Sequence, residues 1–228
     1  VASDACRAKA ETKEIAVVHQ SSRTDHHSRD HLIHWAWLYD LSSGLLGRRG
    51  RRLRATIADD LALQPGDHVL DVGCGPGRLA RVFAGRVAPT GSVTGVDPSP
   101  QMISRATAQA GKHGVPVRFQ VGYAQQLPFP DATFDAVACT LALHHVAEDD
   151  QQTAVAEMYR VLKPGGRLLI AEFQKGPGHR HPRPRWLRRS THQDMIDRAR
   201  NLMTTAGFTG ISSAGTNLSW LGKITARR

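Results

Sequence analysis

The sequence predicts an α/β protein built on a doubly wound, mostly parallel sheet, and three observations carry that prediction. Short apolar runs alternate with amphipathic helical runs across residues 68–173, the pattern of strands joined by crossover helices. The first apolar run ends in a glycine turn, Gly73-Cys74-Gly75-Pro76-Gly77, that opens into a helix through Leu79, Val82 and Phe83. The second ends in an acid, Asp97, 20 residues beyond Gly77. In a strand–helix–strand unit that spacing sets a carboxylate beside the glycine turn, where it can accept two ribose hydroxyls.

Alternate glycines let the backbone turn sharply and come close to a ligand. The helix that follows adds unpaired N–H groups and the positive end of its dipole. A nicotinamide fingerprint requires G-x-G-x-x-G, and counted from Gly73 its last position is Arg78. The spacing present is Asp71-x-Gly73-x-Gly75-x-Gly77, an acid followed by alternating glycines. A nucleotide-like ligand with a polar end is expected there.

The chain has 228 residues, long enough for one domain with a full core plus an N-terminal extension. With 40% hydrophobic and 22% charged residues it is composed like a globular protein. No apolar run reaches the ~18 residues of a membrane span, and VASDACRAKAETKE lacks the apolar stretch of a secretory signal. Cys6, Cys74 and Cys139 are odd in number and far apart, which excludes a disulfide framework and fits a reducing cytoplasm. The net charge of +10 favours anionic partners: nucleic acid, acidic lipid surfaces or acidic small molecules.

Residues 1–24 show no sustained periodicity and are expected to be a mobile extension; 25–64 form a helical lid segment and 65–228 the core. Leu32, Trp35, Leu38 and Tyr39 recur at helical spacing. His27, His31 and His34 share one face of that helix, but no acid or cysteine completes a metal signature. They and Tyr39 are candidates for the edge of a substrate pocket. GLLGRRGRRLR, residues 44–54, carries five arginines, and a helix through Leu53, Ile57 and Leu61 runs on to Leu63. Gln64-Pro65-Gly66-Asp67 turns into the first strand.

The second strand is SVTGVD (92–97), with Asp97 also placed to cap the helix over 99–112. The third is VRFQV (117–121), followed by the loop Gly122-Tyr123-Ala124-Gln125-Gln126 and LPFPD. The fourth is FDAVACT (134–140), running into Leu141-Ala142-Leu143-His144-His145. A helix over 149–162 has Val155, Met158, Tyr159 and Leu162 inward, and RLLIAEF (167–173) is the fifth strand. Ligands in such sheets bind beyond the strand C-termini where strand order reverses, which places the site at Gly73, Asp97, Val121, Thr140 and Phe173.

DVGCGPG, VTGVDPS, LPFPDATFD, LALHHV and LKPGGRLLIAEF, in that order and spacing, resemble the class I S-adenosylmethionine-dependent methyltransferases. The resemblance is to the small-molecule branch that includes the ubiquinone/menaquinone C-methyltransferases. It implies a seven-stranded sheet with an antiparallel last strand inserted beside the fifth. The C-terminal third accommodates this: a helix over 192–206 with Met195, Ile196, Ala199 and Leu202 inward, a strand over 209–217, and a reversed strand over 220–226. The resemblance carries Asp71, Gly73, Cys74, Gly75 and Gly77 to the methionine end of the cofactor and Asp97 to the ribose. Pro98 and Met102 fall to the adenine face, Tyr123, Ala124 and Gln125 to the adenine edge, and Thr140 to the sulfonium. The family usually has an acid where this chain has Tyr123, so a different contact to the adenine amino group is expected here.

Methyl transfer is an in-line displacement that asks the protein to hold the acceptor close and exclude water. His144 and His145 follow the fourth strand directly and are the candidate bases; the alternative is that they only order the loop. Gln174 to Ser190 holds six basic residues and no acid, which suits an acidic or lipid-tailed acceptor or a membrane surface. The competing class is a nucleic-acid methyltransferase. Against it, the fourth strand ends Ala138-Cys139-Thr140-Leu141 and lacks the Asn/Asp-Pro-Pro-aromatic signature of base amino methylation. Aromatic residues, at 6%, offer no stacking platform. A non-catalytic scaffold of the same fold is the third reading.

Overall fold

The computed structural model describes residues 47–112, 116–174 and 195–228. The elements are α1 (Gly47–Asp60), β1 (His68–Val72), α2 (Arg78–Val87), β2 (Ser92–Asp97), α3 (Pro100–Lys112), β3 (Val117–Val121) and β4 (Phe134–Thr140). They continue with α4 (Gln151–Val161), β5 (Leu162–Phe173), α5 (Met195–Ala206), β6 (Thr209–Gly215) and β7 (Leu221–Arg227). Together the strands make one seven-stranded sheet in the order β3-β2-β1-β4-β5-β7-β6. β1 to β5 pair in parallel, and β7 runs antiparallel between β5 and β6.

Two apolar layers cover the sheet. Leu53, Ile57 and Ala58 of α1 and Leu79, Phe83 and Val87 of α2 pack with Val69, Ala136, Ala138 and Leu169 on one face. Val155 and Met158 of α4 and Ile196, Ala199 and Met203 of α5 pack with Leu70, Val137, Cys139 and Ile170 on the other. The central strands are buried on both sides, which is why they read as continuous apolar runs and not as alternating ones. Neighbouring β1 and β4 send their chains to opposite faces, so a crevice opens between them at the strand C-termini.

Three sequence expectations shift. The buried face of α5 is Ile196, Ala199 and Met203, with Met195 and Leu202 only half-buried. Positions spaced three and four apart share a helix face, and the set ending in Met203 is the one turned to the sheet. β5 begins at Leu162 because Leu162 already pairs with Phe134 before a bulge resets the register at Ala136 and Arg167. The 3-10 turn Glu148–Asp150 precedes α4, so that helix starts later than its apolar pattern suggests.

Residues 1–46 and 175–194 lie outside the described part, and with them His27, His31, His34 and Tyr39. Of the 25–64 segment, residues 47–64 are described, with Ile57 of α1 and Leu61 just after it each only 1% exposed. Among the described residues no helix is long and apolar enough to cross a membrane.

Candidate functional site at the strand C-termini

The three glycines of the turn do different jobs. All have positive φ, at 70°, 50° and 70° for Gly73, Gly75 and Gly77. A Cβ on Gly73 would come within 2.3 Å of the Ala142 Cβ, and one on Gly77 within 2.5 Å of the Phe119 ring. At Gly75 a Cβ would meet nothing within 4 Å. Gly73 and Gly77 therefore let the turn pack against the protein itself. Of the three, only Gly75 has open space where a Cβ would sit. The loop is tied down by Gly73 and Cys74 N–H groups donating to the Val96 carbonyl at 2.8 and 2.9 Å.

Two carboxylates frame the loop. Asp97 ends β2; its Oδ2 accepts the Gly75 N–H and its Oδ1 the Ser99 N–H, both at 2.9 Å. It thus caps the turn into α3 and braces the glycine loop at once, with lone pairs left for a further donor. Burial raises its pKa, opposed by the Ser99 and Gly75 amides. Asp71 is 1% exposed, and its Oδ2 has no hydrogen-bond partner. Burial pushes it up to about 7, with the Ala80 N–H opposing and the Asp97 charge adding to the rise. A second buried oxygen without a partner is Thr140 Oγ1 at the end of β4. Thr140 and Asp71 lie on adjacent strands, where Asp71 is in register with Ala138. Such orphaned atoms are costly in a finished core, and these two stand at the C-terminal end of the central strands.

The remaining expected cofactor residues divide. Cys74 is buried, and burial followed by the Asp71 and Asp97 charges pushes its thiol far up, so it contributes packing and backbone. Met102 is 5% exposed on α3, and Pro98 is half-buried. Tyr123 is 55% exposed just beyond β3, held in a tight turn by the Gln126 N–H donating to its carbonyl. Gln125 and Ala124 are half-buried beside it. The LPFPD loop that follows is clamped from α4, where Arg160 bonds the Leu127 and Phe129 carbonyls and pairs with Glu157 and Asp131.

His144 and His145 sit in a 3-10 turn after β4, with ring centroids 4.0 Å apart. His144 Nδ1 lies 2.9 Å from Glu172 Oε2 and 3.2 Å from Oε1, and the His144 N–H reaches Oε1 at 3.3 Å. Buried Gln151 holds the same turn from below, donating to the Leu143 and Val146 carbonyls at 3.2 and 3.0 Å. Its own carbonyl accepts from Arg198 on α5. Surrounding atoms and the His144 ring lower the His145 pKa, with Glu172 opposing; one edge stays open to solvent, which limits the effect. Glu172 and Gln151 escaped the sequence reading. The signal was an acid near the end of an otherwise apolar buried strand, RLLIAEF.

This geometry has counterparts among known proteins: residues 69–166 match the family model described as a methyltransferase domain. The fold of the chain is that of the S-adenosylmethionine-dependent methyltransferases. The chain is 45% identical over 114 residues to the demethylmenaquinone methyltransferase of Symbiobacterium thermophilum, covering 49% of this chain and 45% of that protein. It is 44% identical over 138 residues to the Deinococcus radiodurans protein of the same name, covering 59% of this chain and 55% of that one. The chain thus spans about half the length of these relatives. A solved S-adenosylmethionine-dependent methyltransferase from Aquifex aeolicus aligns over 76% of this chain and 88% of that one, with TM-score 0.65 and 22% identity, a likeness of fold.

S-adenosylmethionine fits what the described residues offer. An ammonium suits the unpartnered Asp71 oxygen, a hydroxylated sugar suits the free lone pairs of Asp97, and the open side of Gly75 leaves room between them. Among the described residues no cluster of His, Cys, Asp or Glu could hold a metal ion.

Proposed function

We propose that the protein is an S-adenosylmethionine-dependent methyltransferase that methylates a carbon or oxygen of a small hydroxylated acceptor of the quinol or phenol type. The observation that carries this reading is the pairing of two unsatisfied buried oxygens, Asp71 Oδ2 and Thr140 Oγ1, with a histidine turn at the same end of the sheet. The names of the sequence relatives support the acceptor class.

When bound, the cofactor supplies an electrophilic methyl group on a sulfonium. Asp71 and the backbone at Gly75 would hold its amino-acid end, Thr140 would border the sulfonium, and Asp97 would hold its ribose. Tyr123, Gln125, Ala124, Pro98 and Met102 border the base. His144 accepts the proton that a hydroxylated acceptor loses, and general-base help of this kind contributes about 10²–10⁴-fold. Methyl transfer is an in-line displacement in which the acceptor is the nucleophile, so its approach would be fixed by the walls around His144: Phe173, 5.0 Å away, and Trp220, which packs on Phe173 at 5.6 Å.

Release of S-adenosylhomocysteine during incubation with a panel of phenols, quinone precursors and amines tests the assignment. Turnover with phenols or quinols supports it, and turnover with amines alone overturns it. A second reading, nucleic-acid methylation, is favoured by exposed Arg48, Arg49, Arg51 and Arg52 on α1. Tight binding in gel shift that weakens steeply with salt is its signature. The same arginines suit an acidic or lipid-tailed acceptor.

A further inference from the structure

Glu172 is fully buried, 0% exposed, one residue from the C-terminal end of β5. A carboxylate there is expensive unless every lone pair is used, and an apolar side chain of similar size would often serve stability as well. Its donors are the His144 ring, the His144 amide and its own neighbour, the Phe173 amide at 3.3 Å. So three bonds converge on one carboxylate, and two of them lead to His144. The other ring nitrogen of His144, Nε2, has no protein partner among the described residues, and the side chain keeps 19% of its surface open.

We infer that Glu172 is a positioning residue that fixes His144 with its proton on Nδ1, leaving Nε2 as the basic atom presented to the acceptor. The inference rests on the methyltransferase reading above and adds which histidine works, in which tautomer, and on what kind of acceptor. A carboxylate oxygen can only accept, so the nitrogen at 2.9 Å is the donor. The lone pair of the neutral ring is then on Nε2. His145 has no such carboxylate; its N–H donates to Ala142 and its ring leans on His144.

The proton step balances simply. The acceptor O–H bond breaks, an N–H bond forms at Nε2, and the electron pair stays on the acceptor, available at its oxygen or a conjugated ring carbon. The positive charge gained by the imidazole is met by the Glu172 carboxylate, and the proton later passes to solvent along the open edge of the ring. This selects acceptors that carry an ionisable hydroxyl, phenols and enols. Gln151 grips the same turn through Leu143 and Val146, so a change at Glu172 leaves the backbone path held.

The test uses the full chain labelled with ¹⁵N-histidine, together with Glu172→Gln, Glu172→Leu and His144→Gln. Two-bond proton–nitrogen spectra of the cofactor-free protein at pH 8 read the tautomer directly. The expected wild-type spectrum shows His144 protonated on Nδ1, shifting towards Nε2-H in Glu172→Leu, which leaves no acceptor. With a phenolic acceptor, kcat is expected to fall about 10²-fold in both while KM and the cofactor Kd stay within about twofold. A wild-type Nε2-H spectrum overturns the inference. So does unchanged kcat in a variant whose tautomer has shifted, or a loss confined to KM or Kd. If both variants fail to fold, the wild-type spectrum alone decides. Full turnover in His144→Gln with an Nδ1-H wild-type spectrum sinks the proposed base and leaves the tautomer assignment standing, so the two failures are told apart.

Discussion

Asp71→Asn separates what this carboxylate costs the fold from what it gives the ligand. Asp71 is 1% exposed, with one oxygen unpartnered, and burial raises its pKa from 3.8 to about 7. Because the folded state holds its proton more tightly than the unfolded chain, folded protein binds extra protons between those two values. Stability from this group therefore falls as pH rises from about 4 to about 7 and is level above that. At about 1.4 kcal/mol per unit, the charge costs about 4 kcal/mol at pH 8. Asparagine removes the charge and keeps the shape, while its buried amide reclaims about 1–3 kcal/mol. The expected net gain is about 1–3 kcal/mol at pH 8, shrinking to nothing near pH 5. Urea denaturation of both proteins from pH 5 to 8, without cofactor, reads this difference. Calorimetry on the same samples is expected to show S-adenosylmethionine binding at least about tenfold weaker in the variant, a loss of about 1.4 kcal/mol. A stability difference that does not change with pH, or undiminished affinity, would refute the placement of a buried ionising carboxylate at the ligand's cationic end.

Gly75→Ala is expected to cost only about 1 kcal/mol of stability, from its φ of 50°, but to weaken cofactor binding; Gly77→Ala, blocked by Phe119, is expected to lose about 2–4 kcal/mol. Denaturation and titration of the pair check this, and equal profiles would contradict the division of labour in the turn. Tyr123→Asp supplies an acceptor at the adenine edge and is expected to tighten cofactor binding by calorimetry, with unchanged affinity counting against that slot. Arg160→Ala releases Leu127, Phe129, Glu157 and Asp131 together, so faster amide hydrogen exchange over residues 123–131 is expected, and an unaltered pattern would show that the loop holds itself. Asp97→Ala removes acceptors for both Gly75 and Ser99 and is expected to weaken cofactor binding; an unaltered cofactor Kd would sink the assignment of Asp97 to the ribose.

The sequence by itself determined the alternation of strands and helices, the glycine turn, the acid at the end of β2 and the position of the histidines. Each is a local signal: a buried parallel strand must be continuously apolar, and a tight turn at positive φ is written in glycines. The antiparallel β7 beside β5 was legible only through the resemblance to a family, because TGISSAG and LGKITAR carry little pattern of their own. Tertiary structure alone decided which glycine has open space beside it, since that depends on where Ala142 and Phe119, 69 and 42 residues from their glycines, are packed. It alone paired Glu172 with His144 and Gln151 with the turn between them, contacts that span 28 and 8 residues. It also left Asp71 and Thr140 unsatisfied. Whether a buried polar atom has a partner is a question about neighbours in space, and a linear chain does not record them.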